Sequence, residues 1–151
     1  SESKVEAFKE CAFGGFSLGG LSALDCAWEN PGKFNKVGVF SGSLWWRTVN
    51  QDEDNFDEEK HRIIHNKIRE GEFIPGMKFF FETGILDEVA DRNNNGIIDS
   101  IDDTLSLINE LEQKGYHSGE DIFYLELSDG KHNVATWARA LPVFLQWGWG
   151  V

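Results

Sequence analysis

Short apolar runs alternate with longer amphipathic ones along this chain, and this order constrains its fold more than any other feature. Four runs are typical of buried strands: ECAFGGF, KVGVFSG, MKFFFETG and DIFYLELSDG. A segment with helical spacing follows each run, and the last segment contains Pro142, where we expect a bend or break. The order β-α-β-α-β-α-β-α predicts an α/β fold with three α/β/α layers and a mainly parallel sheet of about four strands. We expect a single domain, 1–151.

Two of the helical segments carry more specific expectations. The segment EEKHRIIHNKIREG predicts one helix, with His61 and His65 exposed on its charged side. The segment DDTLSLINELEQKG predicts a helix that starts at Asp102 and ends at Gly115. Its predicted apolar stripe contains Leu105, Ile108 and Leu111.

The charge of the chain argues against one class of partner. The net charge is −12 and the pI is about 4.6, and a field of that sign repels the phosphate backbone of nucleic acids. No apolar run approaches membrane-spanning length, so we expect no membrane association. Cys11 and Cys26 make no framework of disulfides or metal ligands, and we expect both to be small buried thiols.

The glycine-rich stretch GFSLG lies between the first predicted strand and the first predicted helix. It matches G-x-S-x-G, in which a sharp turn lifts a serine hydroxyl, here that of Ser17, above the sheet. Gly15 and Gly19 lack a Cβ, so neighbouring chain can pass close to the turn. The N–H of Leu18 is a candidate to hold an oxyanion. The other interpretation is a turn that only packs a helix onto a strand.

A serine nucleophile needs a base, and the base needs an orienting acid. His132 is the candidate base because SDGKHN follows the last strand, at the edge where parallel strands end. Asp87 is the candidate acid because it stands just past the third strand, and Glu88 is the alternative. The chain order Ser17, Asp87, His132 is that of α/β-hydrolase triads.

The acidic segment DRNNNGIIDSID, residues 91–102, has the spacing of a calcium-binding loop. Oxygen-bearing side chains recur at alternate positions, Gly96 permits the sharp turn, and Asp102 stands where such loops end in glutamate. The predicted ligands are Asp91, Asn93, Asn95, the carbonyl of Ile97, Asp99 and Asp102. Because no helix clearly enters the loop, we expect one isolated structural Ca²⁺ site, with a metal-free Asn/Gly turn as the alternative. No organic cofactor is expected.

Three segments together resemble an esterase family of α/β-hydrolases: GGFSLGGLSALDCAWENPGKFNKVGVFSGSLWW, FFETGILDE and DGKHNVATWARALPVFLQW. The family includes enterochelin esterases, feruloyl and acetylxylan esterases and S-formylglutathione hydrolase. The resemblance implies a serine carboxylesterase with Ser17, Asp87 and His132 at its triad positions. Trp137 matches an aromatic residue that follows the family's histidine. The calcium-type insertion at 91–102 is not general to the family.

The position of the serine turn departs from that family. Such hydrolases have about four strands before the turn, and an upstream loop supplies the second oxyanion-hole N–H. Here the turn begins at residue 15, so the chain resembles the C-terminal part of a catalytic domain, a partial α/β-hydrolase fold. We therefore expect weak or no activity from this polypeptide alone, and self-association through the exposed edge of the first strand.

Three functions fit these features. The first is hydrolysis of a small-molecule or carbohydrate-linked ester, with Trp45 and Trp137 as candidates for substrate contact. The second is a non-catalytic, calcium-stabilised module that binds carbohydrate or a partner protein. Its candidate stacking surfaces are Trp45, Trp46, Trp147 and Trp149. The third is acyl transfer by the same triad. A calcium site and relatives that act on siderophores or plant polymers favour the periplasm or secretion over the cytoplasm.

Overall fold

The computed structural model describes residues 10–150, which form a four-stranded sheet between two layers of helices. In chain order the elements are β1 (Ala12–Phe16), α1 (Leu18–Glu29), β2 (Lys36–Phe40), α2 (Glu58–His61), α3 (Ile63–Glu70), β3 (Lys78–Leu86), α4 (Asp99–Lys114), β4 (Ile122–Lys131) and α5 (Val134–Trp149). The strands lie in the order β1-β2-β3-β4, and every neighbouring pair is parallel. The predicted α/β fold is confirmed.

Two apolar clusters hold the helices on opposite faces of the sheet. On one face, α1, α3 and α4 cover side chains that include Val37, Phe79 and Phe81. On the other face, α5 covers Phe40 and Phe80. The consecutive phenylalanines of β3 serve both layers because successive side chains of a strand point to opposite faces. All of these side chains are buried, and burial of each stabilises the fold by about 1.5–3 kcal/mol.

The single helix expected over EEKHRIIHNKIREG is divided at Arg62, whose backbone is extended. Arg62 forms an isolated bridge with Arg47, and the next N–H, that of Ile63, donates to the Trp46 carbonyl oxygen at 2.8 Å. The Arg62 guanidinium is buried and donates to the Asp103 carboxylate of α4 at 3.1 Å. The break therefore serves contacts with other parts of the chain, which local spacing does not encode.

The exposure predicted for His65 is wrong, because its side chain is fully buried between α3 and α4. Its Nε2 lies 2.8 Å from the Asp103 carbonyl oxygen and 3.1 Å from Ser106 Oγ. His61 is half-buried, and its Nδ1 accepts a hydrogen bond from the N–H of Asp57 at 2.9 Å.

Other predicted details of α4 and α5 are also wrong. α4 begins at Asp99, three residues before the expected start. Leu105 is 38% exposed, and Leu107 is buried in the core instead. α5 continues through Pro142 without a break, because its packing through residues such as Phe144 outweighs the loss of one helical hydrogen bond.

The burial predicted for the two cysteines is wrong. Cys26 is exposed on α1, and Cys11 is half-buried.

The first strand leaves one edge of the sheet open to a partner. Within residues 10–150, β1 pairs with β2 and with no second strand. Self-association through this edge stays a prediction. In the same part of the chain, no helix combines the length and the apolar character needed to cross a membrane.

Candidate active site

The turn between β1 and α1 holds Ser17 in a strained backbone conformation. Its φ of 55° and ψ of −124° are rare for a residue with a side chain, and its N–H donates to the Phe40 carbonyl oxygen at 2.9 Å. A Cβ at Gly15 would lie 2.2 Å from the Gly19 carbonyl oxygen, so this position requires glycine. A Cβ at Gly19 would meet nothing within 4 Å, so within this structure Gly19 is not sterically required.

His132 follows β4 and reaches the serine across the edge of the sheet. Its Nε2 lies 2.9 Å from Ser17 Oγ, although the two residues are 115 positions apart in the chain. The imidazole packs edge-on against the Trp137 ring, with ring centroids 5.2 Å apart.

A close approach of Gly84 to Gly130 brings the ends of β3 and β4 together. A Cβ on Gly84 would lie 2.4 Å from the Gly130 carbonyl group.

Asp87 follows β3 and stands behind the histidine. Its Oδ1 lies 3.9 Å from His132 Nδ1, which is an ion-pair distance rather than a hydrogen bond. The carboxylate is 1% exposed and accepts two hydrogen bonds, from Gly84 N–H at 3.1 Å and from Ser41 Oγ at 3.0 Å. The alternative acid, Glu88, is exposed on the rim. Partial desolvation raises the pKa of its carboxyl group.

Two serines that sequence reasoning missed follow β2 at the same edge of the sheet. Ser41 has a φ of 44°, and its hydroxyl accepts a hydrogen bond from Trp137 Nε1 at 2.9 Å while it donates to Asp87. Ser43 Oγ lies 3.2 Å from Ser17 Oγ, and Ser43 N–H donates to the Ser17 carbonyl oxygen at 3.0 Å. The available signal was their position directly after a buried strand, where side chains of a parallel sheet converge.

Glu82 lies in β3, next to Ser41 and near Asp87, and was also missed. It is 1% exposed, and its Oε2 lies 3.5 Å from Ser41 Oγ. Burial, together with the negative charge of Asp87, raises the pKa of Glu82 to about 7. A glutamate directly after three consecutive phenylalanines was the sequence signal for a buried carboxyl group.

A cavity of about 350 Å³ opens beside the serine. Its wall includes Leu18 and Trp45, whose side chains are 56% and 49% exposed. The Leu18 N–H begins α1 and therefore has no intrahelical acceptor, which leaves it free to face an oxyanion. Trp137, by contrast, is 9% exposed, and its ring stacks on Phe16 at a centroid distance of 5.1 Å. Trp137 contacts Ser41 and His132, and its predicted contact with substrate stays a prediction.

The predicted calcium loop is an ordered turn that precedes α4. Asp91 accepts hydrogen bonds from Asn95 N–H at 3.1 Å and Gly96 N–H at 2.9 Å. Asp102 Oδ2 accepts from the side-chain amides of Asn93 and Asn95 at 2.9 and 3.1 Å. Gly96 has a φ of 86°, in accord with the sharp turn expected there. Four of the predicted side chains therefore converge on one another.

Asp99 turns away from the other predicted ligands. Its Oδ1 accepts from the backbone N–H of Arg92 at 2.9 Å and lies 3.2 Å from that residue's guanidinium. The Ile97 N–H donates to Asn95 Oδ1 at 2.8 Å. Between residues 10 and 150, no three His, Cys, Asp or Glu side chains are arranged to hold a metal ion. Of the six predicted ligands, Asp99 is therefore engaged by Arg92, and the calcium site stays a prediction.

A family model described as "Putative esterase" matches residues 2–147. None of the curated proteins compared with the chain matches it. The enterobactin esterase FES from Shigella flexneri, solved in the presence of enterobactin, superposes with a TM-score of 0.67 at 26% identity, over 92% of this chain and 30% of its own. The same enzyme with 2,3-di-hydroxy-N-benzoyl-glycine gives 0.67 at 25%, over 92% and 31%.

A ferulic acid esterase superposes with a TM-score of 0.59 at 16% identity, over 86% of this chain and 47% of its own. At that identity the likeness concerns the fold alone. The chain spans about a third of the length of the enterobactin esterases that it matches. Since the family model extends over nearly all 151 residues, the chain belongs to the Putative esterase family.

Proposed function

We propose that this chain carries the nucleophile, base and acid of a serine carboxylesterase. The observation that carries the proposal is the 2.9 Å contact between Ser17 Oγ and His132 Nε2. It joins a strained strand-to-helix turn to the loop after the last strand, as nucleophile and base must be joined for proton transfer. Membership of an esterase family and likeness to an enterobactin esterase support it.

In the acylation step, Ser17 Oγ attacks the acyl carbon of the ester and His132 Nε2 accepts the hydroxyl proton. The buried Asp87 carboxylate orients the imidazole and stabilises its protonated form. The charge on the former carbonyl oxygen faces the N–H of Leu18. His132 then gives its proton to the leaving alcohol, and an acyl-enzyme remains on Ser17.

In the deacylation step, His132 accepts a proton from water, and the hydroxide equivalent attacks the acyl carbon. The proton returns to Ser17 Oγ as the carboxylic acid leaves. One N–H donor to the oxyanion is worth about 10²–10³ in rate in other acyl-transfer enzymes. Because such hydrolases take a second donor from an upstream loop, we expect low turnover from residues 1–151 alone.

The proposed substrate is a small-molecule or carbohydrate-linked ester. The cavity beside Ser17 has a volume of about 350 Å³, at the lower end of the range of small-molecule sites. Trp45 offers an exposed indole face for stacking at its rim. The similar enterobactin esterase was solved with an aromatic ligand that carries a hydroxylated benzoyl group.

The loop at 91–102 is proposed to bind one structural Ca²⁺ ion through Asp91, Asn93, Asn95, the carbonyl of Ile97 and Asp102. Their oxygens belong to the hard type that Ca²⁺ prefers. The amide nitrogens of both asparagines now face Asp102 Oδ2. Rotation of each amide would turn its oxygen toward a bound cation. The loop leads directly into α4, so the ion would fix the connection that follows Asp87.

Hydrolysis of p-nitrophenyl acetate tests the proposed activity on the chain as given. We expect turnover that is slow but measurable, and that falls to the uncatalysed rate in Ser17→Ala and His132→Gln. Ser22→Ala and His117→Gln are matched controls, since Ser22 is exposed on α1 and His117 lies in a remote turn. Equal rates in wild type and Ser17→Ala would refute the esterase and favour the non-catalytic binding module.

A further inference from the structure

The carboxyl group of Glu82 is buried next to Ser41 and near Asp87 without a full set of partners. Oε1 has no hydrogen-bond partner among residues 10–150, and Oε2 lies 3.5 Å from Ser41 Oγ, with the Ser41 backbone N–H also favouring the ionised form. A buried carboxylate that keeps one oxygen without a partner is costly, whereas a neutral carboxyl group can donate as well as accept. The site therefore suits the protonated form of Glu82.

The Ser41 hydroxyl can donate one proton, and three groups contact it: Trp137 Nε1 and the carboxyl groups of Asp87 and Glu82. Trp137 Nε1 can only donate, so it occupies one lone pair of Ser41 Oγ. Asp87 Oδ1, at 3.0 Å, is the better acceptor for the Ser41 proton. The second lone pair of Ser41 Oγ then remains for a donor, and Glu82 Oε2 is the atom placed to supply it. Every contact at Ser41 is satisfied when Glu82 is neutral.

We propose that Glu82 is a positioning residue of the active site, which in its neutral form donates to Ser41 so that the Ser41 hydroxyl is committed to the ionised Asp87. The inference rests on the proposed esterase function. Of these two carboxyl groups, Glu82 is thus protonated and Asp87 is ionised. Asp87 is kept as the carboxylate that faces His132, and its orientation is fixed by Ser41 and by the N–H of Gly84.

Charged groups around Glu82 act in both directions. From the loop after β3, Asp87 opposes ionisation of Glu82, and from α5, Arg139 favours it. Arg139 is itself paired with Asp129 at 2.9 Å. On β4, Tyr124 feels the charge of Glu82, although its hydroxyl is bound to Thr83 and Glu126. His132 lies beyond Asp87.

Ionisation of Glu82 at alkaline pH would reverse the arrangement at Ser41. A carboxylate at Glu82 competes with Asp87 for the single Ser41 proton, because it can then only accept. Asp87 would lose part of its support, and the activity of the wild type would decline as pH rises above about 7. Glu82→Gln keeps a neutral donor at the same place and removes that decline.

The kinetic test compares Glu82→Gln and Glu82→Met with p-nitrophenyl acetate between pH 6 and 9. At pH 6.5 we expect Glu82→Gln to stay within about threefold of wild type, and Glu82→Met to lose about tenfold in kcat at unchanged KM, the size of one hydrogen bond. The ratio of Glu82→Gln to wild type should rise toward pH 9. Glu126→Gln removes an exposed carboxylate from the neighbouring strand and controls for net charge.

Two kinetic results would overturn the proposal. One is a loss in Glu82→Gln as large as that in Glu82→Met, which would mean that the carboxylate form is needed. The other is a ratio of Glu82→Gln to wild type that stays flat from pH 6 to 9.

A second measurement does not depend on esterase activity. The ¹³Cδ resonance of Glu82 should titrate with a midpoint near pH 7. In Asp87→Asn, which removes the neighbouring charge, that midpoint should move to lower pH. A Glu82 signal that titrates with the exposed glutamates would overturn the proposal even if the enzyme were active. If the chain hydrolyses no ester while Glu82 titrates near pH 7, the proposed protonation of Glu82 stands and the esterase function fails.

Discussion

Because the imidazole of His65 is buried, we expect the free energy of unfolding to decrease at acidic pH. His65 is fully buried, and its Nδ1 finds no hydrogen-bond partner among residues 10–150. Burial lowers its pKa from 6.5 to about 3, and the positive charges of Arg62, Arg92 and Arg69 contribute in the same direction. The folded state therefore holds His65 neutral at pH values where the unfolded chain binds a proton.

The sign of the effect follows from that difference in proton binding. Because the pKa of the folded state is depressed, the stabilisation is complete above pH 6.5 and is lost as pH falls from 6.5 toward about 3. At pH 4.5 the pH lies about two units below 6.5, the pKa of this imidazole in the unfolded chain. Protonation of the unfolded state over those two units lowers the free energy of unfolding by about 2.7 kcal/mol. A domain of this size is stabilised by about 5–15 kcal/mol in total.

Urea unfolding followed by tryptophan fluorescence between pH 7.5 and 4.5 measures this loss. In His65→Gln the side-chain amide can still donate to the Asp103 carbonyl oxygen, but it has no proton to gain. We expect the free energy of unfolding to fall by about 2–3 kcal/mol less in His65→Gln than in wild type over this range. The exposed His117 provides the control His117→Gln, whose pH dependence should match that of wild type. Parallel curves for wild type and His65→Gln would refute the reasoning.

Two further predictions concern the sheet edge and the metal loop. Gly84→Ala should place a Cβ 2.4 Å from the Gly130 carbonyl group, cost about 1–3 kcal/mol of stability and lower ester hydrolysis at least tenfold, because His132 must move relative to Asp87. Gly32→Ala, where a Cβ meets nothing within 4 Å, should lower neither the melting temperature nor the rate. If the loop at 91–102 binds Ca²⁺, a free Ca²⁺ concentration of 100 times the Kd should raise the free energy of unfolding by about 2.7 kcal/mol. EDTA should therefore lower the melting temperature of the wild type but not of Asp91→Asn. An unchanged melting temperature of the wild type in EDTA would argue against the ion.

The sheet and the three candidate site residues were predicted from the sequence for a common reason. Strands that are buried on both faces read as unbroken apolar runs, such as KFFF in β3. In a parallel sheet the residues that follow such runs meet at one edge, so chain order together with the G-x-S-x-G pattern directs attention to Ser17, Asp87 and His132. No knowledge of side-chain contacts is needed for either step.

The contacts of Ser41, Glu82 and His65 could not be reached in that way. Glu82 and Ser41 meet because β2 and β3 are neighbours in a particular register, with Phe40 opposite Glu82. His65 is buried because α3 turns one face toward Asp103 of α4, whereas the segment EEKHRIIHNKIREG that contains it is rich in charged residues. Such burial depends on partners about 40 residues away, and local spacing carries no information about them.

The central claim is that Ser17 is activated as a nucleophile by His132. The most direct measurement is reaction of the chain with a fluorophosphonate, followed by intact mass and peptide mapping. The account predicts one adduct per chain, located on Ser17, that is lost in Ser17→Ala and His132→Gln and retained in Ser22→Ala. A folded chain that acquires no adduct at Ser17, or one whose adduct forms equally well in His132→Gln, would contradict it.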